Sequence, residues 1–184
     1  RKILKRLLFP LLSRWYQRAN SKTSLYRKHG LELKLLPGVF HPGLFLSTGI
    51  LIDFIKRENL SGKQLLELGA GSGLISFFAQ QKGAQVTATD INPQALEGLR
   101  YNAGHNQLPI TVLESDLLDH IVPDNFDLII INPPYYPKSP SDFREAAFFC
   151  GKNFEYFRKL FRQLEEKHQC SETRILMILS EDCD

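Results

Sequence analysis

Cysteine is scarce in this sequence, with three among 184 residues, at Cys150, Cys170 and Cys183. The number is odd and no Cys-x-x-Cys spacing occurs, so neither a disulfide framework nor a zinc site is expected. Reduced thiols and a cytoplasmic location are the plain expectation, and no metal is called for. Long apolar runs are missing too: nothing approaches the ~18 residues of a membrane-spanning helix. The apolar residues near the start are interspersed with Lys and Arg and lead to no small-residue cleavage site, so no secretory signal is expected. The first residue is Arg rather than Met, which suggests a trimmed or partial chain. Acids are nearly absent from the first 34 positions. Ten basic residues stand there (Arg1, Lys2, Lys5, Arg6, Arg14, Arg18, Lys22, Arg27, Lys28 and Lys34) beside one acid, Glu32, for a net +9. The remainder carries 13 basic and 19 acidic residues, a net −6, so the overall +3 joins two unlike parts.

What is present is the composition of a folded domain with its own core, 43% hydrophobic and 23% charged. Ile3, Leu4, Leu7, Leu8, Leu11, Leu12, Trp15 and Tyr16 recur at helical spacing. Pro10 interrupts them and predicts a kink near Phe9. Residues 1–30 thus read as a basic amphipathic helical arm ending in a polar linker over 19–30, and residues 31–184 as the main domain. Leu31 to Leu36 alternates apolar and polar residues, as a short strand does. Pro37-Gly38 and Pro42-Gly43 mark a turn-rich loop, and Ser47 stands as the N-cap of a helix carrying Ile50, Leu51, Phe54 and Ile55. Beyond Lys63 the pattern is regular. Strands are predicted over 64–68, 85–89, 110–113, 126–131 and 174–179. Helices are predicted over 74–81, from Pro93 to about Asn102, and around Phe154, Phe157, Leu160, Phe161 and Leu164, with Met177 in the core. Strands alternating with helices predict an α/β, doubly wound, Rossmann-like, mostly parallel sheet with helices on both faces.

The chemistry gathers at predicted strand ends. Glu67-Leu68-Gly69-Ala70-Gly71-Ser72-Gly73 places a glycine-rich turn between strand and helix, where a ligand can approach the backbone. A dinucleotide fingerprint would need glycine at position 74, which is Leu74, and Glu67 would repel a pyrophosphate. No Gly-Lys-Ser/Thr follows, so a P-loop is excluded. Glu67 suits a cation such as an amino group. Asp90 ends the next strand, where a carboxylate accepts hydrogen bonds from ribose hydroxyls, and Ile91 is placed to pack on a base. Asp116 ends the third strand and is placed to accept from an adenine amino group. Together these acids describe a site for an adenosine moiety with a cationic end and no phosphate, which fits S-adenosylmethionine. Phe40, Phe45 and Thr48 are candidates to line the same pocket. His41 reads as a loop histidine, and His105, His120 and His168 have no metal-ligand spacing.

Asn132-Pro133-Pro134-Tyr135 follows the apolar strand over 127–131. With this motif the sequence resembles class I S-adenosylmethionine-dependent methyltransferases, the small-methyltransferase and HemK-type group, from about Gly38 to Leu179. The resemblance implies a core strand order of 3-2-1-4-5 and a tetrapeptide that binds an amino group on a planar system. It implies cofactor contacts from Glu67, Gly69, Gly71, Gly73, Asp90, Ile91, Asp116 and Asn132, and catalytic roles for Asn132, Pro133 and Tyr135, with S-adenosylhomocysteine as product. The physical logic is separate. A nitrogen attached to a planar system is a poor nucleophile because its lone pair is delocalised. Acceptors at the Asn132 side chain and the Pro133 carbonyl would hold its two N–H groups and aim the lone pair at the methyl. Tyr135 offers a face for stacking, and Tyr136 a second aromatic.

The family sheet ends in an antiparallel hairpin for which the residues after Leu179 leave no room, so residues 31–184 are expected to be a C-terminally incomplete methyltransferase domain. The expected activity is N-methyl transfer to a nucleobase amine of RNA or DNA, or to a glutamine side chain of a protein such as a translation factor. The arm favours contact with nucleic acid, with a membrane surface or docking on the body as alternatives. A non-catalytic binding module of the same fold, and a nicotinamide-dependent oxidoreductase, are the competing functions. The intact tetrapeptide opposes the first; the glycine spacing and Glu67 oppose the second.

Overall fold

The structure, a computed structural model, describes residues 21–168 and 172–179. The amphipathic arm, Cys170 and Cys183 therefore lie outside the described residues. Five strands make the main sheet: β3 (Gln64–Leu68), β4 (Gln85–Asp90), β5 (Thr111–Glu114), β6 (Leu128–Ile131) and β7 (Arg174–Met177), in the order β5-β4-β3-β6-β7. Every pairing is parallel, so the expected 3-2-1-4-5 order holds. Its cause is visible in the side chains. Leu65 to Leu68 and all of β6 are buried, and strands covered on both faces belong at the sheet centre. The order reverses between β3 and β6, which opens a crevice at their C-terminal ends. Leu68 pairs with both Thr89 and Ile131, so Gly69, Asp90 and Asn132 leave the sheet side by side.

One face is covered by α1 (Leu46–Ile55), α2 (Leu74–Gln81) and α3 (Pro93–His105). A hairpin of β1 (Ser24–Lys28) and β2 (Leu31–Leu35) adds to this layer. The polar segment expected as a linker thus forms a strand over its second half. β1 is mostly exposed, so its outward side chains hide its pairing from a hydrophobicity reading. His29 and Gly30 both adopt positive φ, 55° and 75°, the geometry of a tight two-residue hairpin turn. Leu31, Leu33 and Leu35 point into the core beside Ile52, Ile55 and Phe77. The free edge of β2 is met by two asparagines one turn apart, Asn102 on α3 and Asn106 at its C-cap. Asn102 accepts from Lys34 N at 2.8 Å and donates to Lys34 O at 3.2 Å. Asn106 accepts from Glu32 N at 3.0 Å and donates to Glu32 O at 2.9 Å. Two amides thereby act as a substitute strand and satisfy backbone groups that would otherwise lack partners.

The other face is covered by α5 (Glu155–Lys167), whose Leu160 packs on Leu66, Leu68, Ile129 and Ile131. Met177 packs partly buried against this cluster. The crossover from β5 to β6 holds only a short 3₁₀ turn, Pro123–Asn125, and Leu117, Leu118 and Ile121 fill the space a helix would occupy. The expected N-cap at Ser47 is corrected. The helix starts at Leu46, and Phe45 is the N-cap with no side-chain bond, because stacking of Phe45 on Phe40 sets the chain's entry into α1. A four-residue helix, α4 (Phe143–Ala146), was not foreseen; Asp142 caps it by accepting from Arg144 N and Glu145 N. No helix among the described residues is long and apolar enough to cross a membrane.

Candidate active site

A cavity of about 300 Å³ lies at the C-terminal ends of β3, β4 and β6. The glycine-rich turn forms one wall. Gly69 and Gly71 adopt φ of +68° and +53°, a region that side chains rarely enter, and Gly69 faces open space. Gly73, also left-handed, serves packing instead. A Cβ there would lie 2.5 Å from Leu99 Cδ2 and 2.7 Å from Phe77 Cε2, and this glycine does not line the cavity.

Glu67 is buried, 3% exposed, and lines the cavity. Its Oε2 accepts from Ser76 N at 2.8 Å and from the Ser76 hydroxyl, while Oε1 has no partner among the described residues. Burial pushes its pKa up to about 8 against the pull of the Ser76 bonds. Asp90 holds the turn: Oδ2 accepts from Gly71 N at 2.8 Å and Oδ1 from Asn92 N at 2.9 Å. Burial raises its pKa as well, against backbone hydrogen bonds from Asn92, Gly71 and Ile91, and the carboxylate keeps a lone pair for a further donor. Ile91, 37% exposed, lines the cavity beside it. Asp116 also lines the cavity, but its Oδ2 is paired with Lys159 Nζ of α5 at 2.7 Å. Burial disfavours the Lys159 ammonium, yet Asp116 and Asp119 outweigh it and raise its pKa.

Asn132, Pro133, Pro134 and Tyr135 form the opposite wall. Neither the Asn132 amide nor the Pro133 carbonyl has a hydrogen-bond partner among the described residues, though Asn132 is half-buried and Pro133 buried. Such groups need a partner from elsewhere. Tyr135 packs on Tyr136 at 5.0 Å between ring centres. The following segment folds back to this wall: Tyr136 N donates to Phe148 O and Cys150 N to Tyr136 O, each at 3.0 Å. It also meets the loop before α1. Phe40, Phe45 and Phe148 form one aromatic cluster, with centres 4.8 to 5.7 Å apart, and Arg144 lies against Gly38.

The structure thus brings Glu67, Gly69, Gly71, Asp90, Ile91, Asp116, Asn132, Pro133 and Tyr135 to one cavity, and only Gly73 of the expected set stands behind it. Phe40, Phe45 and Thr48 line the cavity as expected. Phe143, Phe148 and Tyr156 line it too and escaped sequence reasoning; the sole signal was the aromatic density following the tetrapeptide. His41 is a loop residue whose Nδ1 accepts from Gly43 N at 3.1 Å. Among the described residues no group of three or more His, Cys, Asp or Glu is placed to hold a metal.

Residues 30–151 match the model of the methyltransferase small domain family. A putative protein N5-glutamine methyltransferase of Methanocaldococcus jannaschii is 38% identical over 129 residues, 67% of this chain and 63% of that protein. A ribosomal RNA small subunit methyltransferase C of Haemophilus influenzae is 38% identical over 120 residues, 64% of this chain and 36% of that protein. Among solved structures, a T. thermophilus 16S rRNA N2 methyltransferase in complex with AdoMet and guanosine superposes with a TM-score of 0.53. It is 26% identical and covers 74% of this chain and 38% of its own. The chain spans less than two thirds of the length of each of these relatives.

Proposed function

This chain belongs to the methyltransferase small domain family, and on that premise we propose that it transfers a methyl group from S-adenosylmethionine to a planar amino or amide nitrogen. The observation that carries this is the pairing of opposite walls. The Asn132 amide and the Pro133 carbonyl, which have no partner among the described residues, line the same cavity as the buried Glu67 and Asp90. The cofactor fits the residues present. Glu67 Oε1, on a buried residue that lines the cavity, is open to a cationic donor, Gly69 leaves the backbone open to approach, and Asp90 retains a lone pair for a ribose hydroxyl.

When bound, the cofactor supplies an electrophilic methyl on a sulfonium. The protein's part is orientation. Asn132 Oδ1 and the Pro133 carbonyl accept the two N–H bonds of the acceptor and turn its lone pair out of conjugation. Pro133 and Pro134 stiffen the turn and offer no N–H to compete. Tyr135 gives the acceptor's flat group a stacking face, and the Phe40, Phe45 and Phe148 cluster keeps water from the reacting atoms.

The acceptor is a nucleobase amine of RNA or DNA, or a protein glutamine. Relatives named for protein N5-glutamine and for rRNA methylation support both, and such substrates accord with a cytoplasmic location. Labelled-methyl transfer with the Asn132→Ala variant tests the reading. We expect transfer to fall at least about a hundredfold while cofactor affinity changes little. Undiminished transfer contradicts the role of the tetrapeptide.

A further inference from the structure

The segment that carries Asp116 has no α-helix of its own, and α5 supplies what it lacks. Lys159, Gln163 and Lys167 stand four residues apart, one above the other on a single helix face. Gln163 Oε1 accepts from Leu118 N at 2.9 Å, and its amide donates to Asp119 Oδ1. Lys167 Nζ donates to the carbonyls of Leu118 and Asp119. Lys159 Nζ sits between two carboxylates, 2.8 Å from Asp119 Oδ2 and 2.7 Å from Asp116 Oδ2.

Two of these side chains have a plain task, since they satisfy backbone groups of a crossover without an α-helix. Lys159 Nζ makes no hydrogen bond to a backbone group there among the described residues. It is anchored on Asp119, which Gln163 also holds, and it reaches from that anchor to Asp116. The Asp116 side chain is 56% exposed, so without this contact its carboxylate would turn freely in solvent. With Oδ2 engaged, Oδ1 has no partner among the described residues, on a residue that lines the cavity. We infer that Lys159 is a positioning residue for cofactor selection: it fixes the Asp116 carboxylate so that Oδ1 accepts from the 6-amino group of the adenine ring. This rests on the reading that Asp116 meets the adenine end of the cofactor.

The consequence is discrimination more than fold. A fixed carboxylate accepts from an amino group and repels a carbonyl oxygen at the same ring position, because it has no proton to give. A carboxylate free to turn away does neither. The test is calorimetric titration of S-adenosylhomocysteine and of its inosine counterpart, in which the 6-amino group is a carbonyl. It uses the full chain as wild type, Lys159→Met, Lys159→Arg and Asp116→Ala, with melting curves alongside. Wild type should prefer the adenine compound by about tenfold or more, the scale of a hydrogen bond to a charged group. Lys159→Met should reduce that preference to within about threefold, and Lys159→Arg should restore it. Full preference in Lys159→Met, whatever its melting temperature, overturns the inference and leaves the Asp116 reading intact. Full preference in Asp116→Ala overturns the Asp116 reading and the inference with it. A wild type that binds neither compound overturns the cofactor reading itself.

Discussion

Burial raises the Glu67 carboxyl to about 8, so near neutral pH the ligand-free protein holds it protonated while the unfolded chain, at its ordinary 4.5, does not. The folded state then binds the extra proton, and stability falls as pH rises from about 4.5 to about 8. Comparing melting curves of wild type and Glu67→Gln over that window isolates this group: the variant should gain on wild type as pH rises. A cationic amino group beside Glu67 favours the carboxylate. Cofactor binding near pH 7 should therefore release up to about one proton, measured as a dependence of binding heat on buffer ionisation enthalpy. Glu67 and its logic are legible in the sequence, because a carboxylate beside a glycine-rich turn repels phosphate and suits a cation. Ser76 beneath it is not, since its place depends on how α2 sits on β3.

Elements were legible where they were buried and periodic. β3, β4, β6 and α2 follow their predicted bounds closely, since burial on both faces leaves little choice of structure. β1 was missed because its side chains face solvent, and its partner is fixed by a turn and by Asn102, 68 residues from Lys34. Asn102 is 1% exposed. Replacing it with Ala leaves two part-buried backbone groups of Lys34 without their partner and should cost about 1–3 kcal/mol in denaturant unfolding. The glycine turn separates two roles the sequence presented as one. Gly73→Ala meets both a left-handed backbone and the side chains of Leu99 and Phe77, and should lose about 2–4 kcal/mol of stability. Gly69→Ala meets open space. It should lose only about 1–2 kcal/mol of stability but much more of its cofactor affinity, a contrast that unfolding and binding measurements resolve together.

At the scale of the molecule, the sheet order places three carboxylates and one amide along a single edge, and the spacing of motifs had already implied that edge. The roof of Phe40, Phe45 and Phe148 was only half legible, since it joins loops a hundred residues apart in sequence. Charge is also divided at this scale. The first 34 residues carry a net +9 and the rest −6. If those basic residues meet phosphate, RNA affinity should drop by orders of magnitude between about 50 and 200 mM salt; a flat salt dependence in filter binding would direct the search toward a protein acceptor. Beneath the choice of acceptor lies the claim that this edge takes an adenosyl ligand with a cationic end and no phosphate. Titrating S-adenosylmethionine and a nicotinamide dinucleotide into the protein tests it most directly. We expect saturable binding of S-adenosylmethionine at one site and none of the dinucleotide; binding of the dinucleotide alone would contradict that claim.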